Sequence, residues 1–247
     1  MKIKKLTLTV LLVSAILVSG AAAQQTKEWL KALENPTDAS ERLKPENFLD
    51  KYKRHDLSLL LAPHSEFLGF IEPDYQRLYI FYTSISKDAA DPALYEVEGF
   101  SVAKDNKCRF EGTIKIVQMR EYVKPEYGLD DEYKDAGIKA RGIAIGEYRF
   151  VEEKSQKHSG VFEGVVTMNW YLDRNGILRY DRILFFADGY SNNQYVGTWT
   201  AHGAAKGKVA NWGEWRIPYS GDLDIGAGEF SPNEKYLKNG WKDMQLH

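Results

Sequence analysis

Residues 162–176 read FEGVVTMNWYLDRNG. Phe162, Gly164, Val166, Met168, Trp170 and Leu172 occupy every second place, so a pleated backbone puts them on one face. Glu163, Thr167 and Asn169 fall on the other face, with Val165 and Tyr171 as the apolar exceptions. The run closes on Asn175-Gly176, the residue pair that best accepts the left-handed backbone of a tight hairpin. One face dry, one face wet and a hairpin at the end describe an antiparallel strand.

The same texture extends outward from this stretch. Strands are expected at 65–72, 76–87, 94–104, 107–123, 138–152, 160–173, 177–187, 193–202 and 209–217. Turn residues separate them: Glu72-Pro73-Asp74, Lys87-Asp88 through Pro92, Asp105-Asn106 and Asp173 to Gly176. No segment here sustains a helical period, so parallel units with crossover helices are excluded. An apolar-Glu-Gly pattern recurs at Val97 to Gly99, Phe110 to Gly112 and Phe162 to Gly164, and Gly142 and Gly197 fall at similar mid-strand places. Glycine weakens a strand interior and so marks a bend or a close backbone approach, which a sheet coiling back on itself needs repeatedly. The expected fold class is all-β: an antiparallel up-and-down meander barrel of about eight or nine strands.

That strand number, hairpin connection and bending resemble the calycins, the lipocalin-like barrels that hold one small ligand. The resemblance covers roughly residues 65–217 and is architectural. Near the first strand, where lipocalins carry Gly-x-Trp, this chain has Phe67-Leu68-Gly69-Phe70; its own Gly197-Thr198-Trp199 comes late. The resemblance implies a barrel with room for a ligand cavity.

Three regions are expected: an export signal at 1–23, a short helical segment at 24–56, and one barrel domain at 57–247 with a loop-rich tail. Lys2, Lys4 and Lys5 precede an apolar run from Leu6 to Val18, and Ala21-Ala22-Ala23 supplies small residues for cleavage. This order is that of a secretory signal, and its apolar core falls short of the roughly 20 residues of a membrane span. The expected mature chain is therefore secreted or periplasmic, with no membrane insertion after cleavage. The 247-residue precursor carries 33 basic and 35 acidic side chains, and cleavage removes three lysines. A mildly acidic chain lacks the basic footprint of a nucleic-acid binder. Trp29, Leu30 and Leu33 lie at helical spacing up to Pro36, and Pro45 suits the first turn of a second helix carrying Phe48, Leu49 and Tyr52. These helices either cap the barrel or form a loose arm. Cys108 is the single cysteine, beside Phe110 in a strand, and reads as a buried thiol.

Residues 188–199, DGYSNNQYVGTW, set three amides, two tyrosines and a tryptophan around two glycines. They form either a turn feeding a strand or the lip of a binding site. By the parity of the other glycines, Tyr195, Gly197 and Trp199 face inward, and Asn211, Gly213 and Trp215 make a second inward row, with Trp212 and Arg216 opposite. Asn193, Tyr195, Trp199, Trp215 and Arg216 are thus the ligand-binding candidates, suited to a saccharide or another small polar ring; ordinary core filling is the alternative. Asp188, Glu214 and His202 are candidates for acid-base catalysis at one barrel mouth. There is no nucleophile elbow, no phosphate loop and no paired-histidine motif, and no motif names a cofactor. Asp222, Asp224 and Glu229 lie among glycines in 219–230, YSGDLDIGAGEF, as weak calcium candidates; Gly226 breaks the EF-hand pattern, and a solvated loop is the alternative. Three functions stay open: a small-ligand binder, an enzyme on the same scaffold, or a partner-binding envelope protein with a filled barrel.

Overall fold

The computed structural model describes residues 20–244, with side chains from Gln24 onward, so all but the last four residues of the expected export signal lie outside the described residues. Nine strands form: β1 (Phe67–Ile71), β2 (Gln76–Lys87), β3 (Leu94–Ala103), β4 (Asn106–Glu121), β5 (Ala140–Glu152), β6 (Gly160–Leu172), β7 (Leu178–Tyr180), β8 (Asn192–Ala201) and β9 (Lys208–Glu214). Every pairing is antiparallel, and β5 pairs with both β4 and β6 while β9 pairs with β1 and β8. Eight strands therefore close into a meander barrel, and β7 stands outside the count.

The inward face read from β6 is the one observed, whereas its opposite face is not wet throughout, since Val165 and Thr167 are buried there. Phe162, Val166, Met168 and Trp170 are buried in the barrel core. At the end of β6, Asp173 Oδ1 accepts the backbone N–H groups of Asn175 and Ile177, and Gly176 takes φ +77°. The strand glycines sit where neighbours come too close for a side chain. A Cβ on Gly112 would lie 2.0 Å from the Arg149 carbonyl, and one on Gly164, opposite Gly197, would lie 2.1 Å from the Val196 carbonyl. Register shifts after Tyr82, Ile116 and Asn192 add to the coiling.

The expected strand at 177–187 shortens to Leu178–Tyr180. β5 takes one side of β6, so β7 and β8 share the other side end to end, beside Trp170 to Leu172 and Gly160 to Thr167. Residues 181–191 loop out between them. Asp181 starts the excursion by pairing with Arg141 at 2.7 Å and accepting the Ile183 N–H at 2.9 Å. Asn192 ends it by using its side-chain amide as a surrogate strand, accepting from the Asn169 N–H at 2.7 Å and donating to the Asn169 carbonyl at 3.1 Å. The last expected strand also ends early, at Glu214, because Trp215 turns the chain with φ +70°.

The middle of the barrel is filled. Tyr195 stacks on Trp212 with ring centres 4.7 Å apart, and Phe67, Tyr82, Tyr148, Phe150 and Phe162 pack edge-on or tilted around them. One end is plugged by two short helices, α2 (Leu49–Tyr52) and α3 (Ser58–Leu61), whose Tyr52, Leu60 and Leu61 join the barrel core, as does Leu57. Of the two helices expected before residue 57 only the second caps the barrel; it starts four residues after Pro45, at Leu49, whose N–H bonds Asn47 Oδ1. Glu121, at the same end, accepts from Lys44, Lys51 and Tyr52 and so ties the plug to β4. Burial works against its ionisation, but these three donors outweigh it and hold its carboxyl at about 2. The first helix, α1 (Gly20–Glu34), lies outside the wall beside β8, where Trp29 packs on Tyr219. Parts of residues 217–244 also pack on the barrel, while Ile225 and Ala227 to Glu229 are exposed. Ile217, Leu223, Phe230 and Trp241 cover Leu68, Phe70 and Val209 on the outer face, and Arg77 lies between the rings of Tyr79 and Trp241.

Candidate functional site

The four hairpins joining β1 to β2, β3 to β4, β5 to β6 and β8 to β9 all fall at the end away from the helical plug. Between them opens a cavity of about 710 Å³. Ile71, Leu78 and Phe162 give it an apolar floor, and Phe162 in turn packs on Trp212 of the filled middle. Trp199 forms one wall. Its indole lies against Gly160, where a Cβ would come within 2.7 Å of the ring, so the glycine at the start of β6 lets the ring lie in place.

Glu152, the last residue of β5, anchors this wall. It is only 2% exposed and receives the Trp199 Nε1–H at 2.9 Å and the Gly160 N–H at 2.7 Å on one oxygen. Ser101 Oγ donates to the other oxygen. His202 Nε2 lies 2.8 Å from the Glu152 backbone carbonyl, so the β8–β9 turn is tied to the same residue. No basic group forms an ion pair with the Glu152 carboxylate among the described residues. Cys108 is buried nearby, as its sequence context suggests. Burial pushes its thiol up and the Glu152 charge adds to that, so it is held as a neutral thiol.

The residues singled out from sequence divide between the two ends and the outside. Trp199 alone among the ligand candidates lines the cavity. Tyr195 is fully buried in the stack with Trp212. Asn193 points inward but at the plugged end, where its amide donates to Glu214 at 2.7 Å and to the Leu60 carbonyl at 3.0 Å. It is neither a rim residue nor bonded only to its own turn. Trp215 is outside the barrel, against Phe185 and Tyr190. Arg216 is outside too, pairing with Asp224 at 2.5 Å and donating to the Gly226 and Ala227 carbonyls.

The inward row on β9 is one place off from the expected one. Ala210 and Trp212 join the barrel core, whereas Asn211 bonds Pro218 and the Gly197 N–H. Gly213 leaves room for a side chain: a Cβ there would lie 2.0 Å from the Gln194 amide nitrogen.

Asp188, Glu214 and His202 are not brought together. β9 runs seven residues from the open end to Glu214, about 20 Å at the usual strand rise. Glu214 is therefore far from His202, and Asp188 is exposed on the looped-out excursion. Glu214 is fully buried and saturated with donors: His64 N–H at 2.6 Å, Ser65 N–H at 2.7 Å, Tyr180 Oη at 2.8 Å and the Asn193 amide. Such a carboxylate is a structural tie among β1, β7, β8 and β9. The phenols of Tyr82, Tyr148 and Tyr195 are pushed far up by burial and stay neutral.

The tail carboxylates are likewise spoken for separately. Asp222 bonds Lys235 and Tyr236, Asp224 bonds Arg216, and Glu229 is exposed; no cluster able to hold a metal ion occurs among the described residues. No described helix is long and apolar enough to cross a membrane.

Glu152 and Ser101 went unread in the sequence. The available signal was parity: Tyr148, Phe150 and Glu152 alternate, so a charged residue falls at an inward place at a strand end. Comparison with protein-family models, with curated proteins and with solved structures gives no match.

Proposed function

We propose that the protein is an exported, calycin-like barrel that binds one small ring-bearing ligand, of saccharide type, in the open-end cavity. The observation that carries this reading is the cavity itself, walled by Trp199 and floored by Ile71, Leu78 and Phe162. Its volume lies within the roughly 300–1,000 Å³ of small-molecule sites, and apolar walls with a few fixed polar groups are their usual make-up. The cavity that the Trp199 indole walls is also lined by Asn106, Gln76 and Asn239, so a flat apolar face and side-chain amides, the pairing a sugar ring needs, share one space. The n-region, apolar core and small residues at the N-terminus support export.

An enzyme reading has less to rest on, since Asp188, Glu214 and His202 stand apart and Glu214 has no open side. The reading is tested by calorimetric titration of the mature chain and of Trp199→Ala with a panel of neutral and charged oligosaccharides. Binding that is lost in Trp199→Ala and kept in Trp215→Ala supports the cavity. Binding that is lost in Trp215→Ala alone moves the site to the outer surface.

A further inference from the structure

From the charges lining the cavity we infer that its ligand carries an ammonium group, seated against Glu152 and the Trp199 ring. This inference rests on the open-end cavity being the binding site. The rim holds three lysines, Lys104, Lys157 and Lys208, and three carboxylates, Glu72, Asp74 and Asp105. These cancel formally and face water, where they are screened. Glu152 is what remains: a shielded carboxylate that lines the same cavity, with hydrogen-bond donors but no counter-ion.

A carboxylate has about four acceptor sites, and Glu152 uses two on one oxygen and one on the other. The oxygen facing Ser101 therefore keeps an acceptor site. Its three present donors are neutral groups that hold the carboxylate in position without neutralising it. A buried charge is costly unless paired, so a cation is the partner that gains most there. The indole next to it adds to the same preference, because a tryptophan face is the best aromatic surface for a cation. Lys208 is the nearest side-chain cation to that ring, with Nζ 5.8 Å from its centre, and it is exposed. An ammonium on a ring scaffold, as in an amino sugar, meets Glu152, Trp199 and the apolar floor together.

The test first compares matched pairs on the unaltered mature chain, an arm that needs no variant to fold. A glucosamine tetrasaccharide is titrated against its fully N-acetylated counterpart, and phenethylamine against 2-phenylethanol. The expected result is that the amine of at least one pair binds tighter than its neutral partner by about tenfold or more, the scale of one desolvated charge pair. Glu152→Gln, checked for a wild-type circular dichroism spectrum, is expected to abolish the difference. Raising salt from low to high ionic strength should leave most of it, since the pair is shielded. Equal binding of amine and neutral partner overturns the ammonium inference and leaves the cavity reading standing. Binding of neither pair, with Trp199 unperturbed, overturns both.

Discussion

The Trp199 indole N–H donates to the Glu152 carboxylate at 2.9 Å, joining the end of β8 to the end of β5 across the width of β6. This bond fixes an aromatic wall and a buried charge in one place at the open end of an otherwise filled barrel. The arrangement separates a region able to accept a ligand from one that only holds the fold.

Glu214 belongs to the second region. Replacing it with alanine leaves two backbone N–H groups, a phenol and an amide without their acceptor in a dry site. The expected cost is about 3–5 kcal/mol, as for the loss of a buried, multiply bonded charge. Urea unfolding of Glu214→Ala against the parent checks this. A midpoint within a few tenths of a molar would show that Glu214 is not a tie.

Gly164 and Gly112 sit where adjacent strands approach too closely for a Cβ. Gly164→Val and Gly112→Val are expected to lower stability by about 1–3 kcal/mol or more, although valine favours strands in general. Thermal or denaturant midpoints that rise in both variants would contradict the role given to these bends.

Acid should weaken the tie between the helical plug and β4. The Glu121 carboxyl is held at about 2, below its ordinary value of 4.5, so its contribution is complete above that ordinary value and fades as pH falls through about 2. With half-exposed lysine partners, the contribution is about 1–3 kcal/mol. Stability measured from pH 6 to pH 2 should decline in the parent, and Glu121→Gln should start lower and decline less. Parallel curves would mean that other carboxylates carry the acid response.

If residues 1–23 are removed on export, intact-mass analysis of protein recovered outside the cytoplasm should place its first residue at Gln24. A species starting at Met1 in that fraction would contradict the export reading.

The barrel was legible because strand parity is a strong signal wherever one face is dry. In β6 the inward residues Phe162, Val166, Met168 and Trp170 are the ones alternation selects. The same rule failed on β9, where Asn211, Gly213 and Trp215 are expected inward but Ala210 and Trp212 face the core and Gly213 clears space for the Gln194 amide. It failed again after Tyr180, because the sequence from Arg182 to Phe186 is strand-like in composition while Asp181 draws the chain into a turn. Aromatic and amide content drew attention to residues 188–199, yet Asn193 and Trp199 lie at opposite ends of one strand. Glu152 escaped notice because a lone glutamate at a strand end looks like an ordinary surface charge. Only the closure of the barrel places it indoors.

The most direct measurement is ¹⁹F NMR of the mature chain labelled with 5-fluorotryptophan and titrated with the oligosaccharides and amines described above. The six tryptophans give separate reporters, assigned by single Trp→Phe variants. The account predicts that the Trp199 resonance shifts saturably on titration while those of Trp215 and Trp241, on the outer face, stay in place. A saturable shift of Trp215 without one at Trp199, or no shift at any tryptophan across the panel, would contradict it.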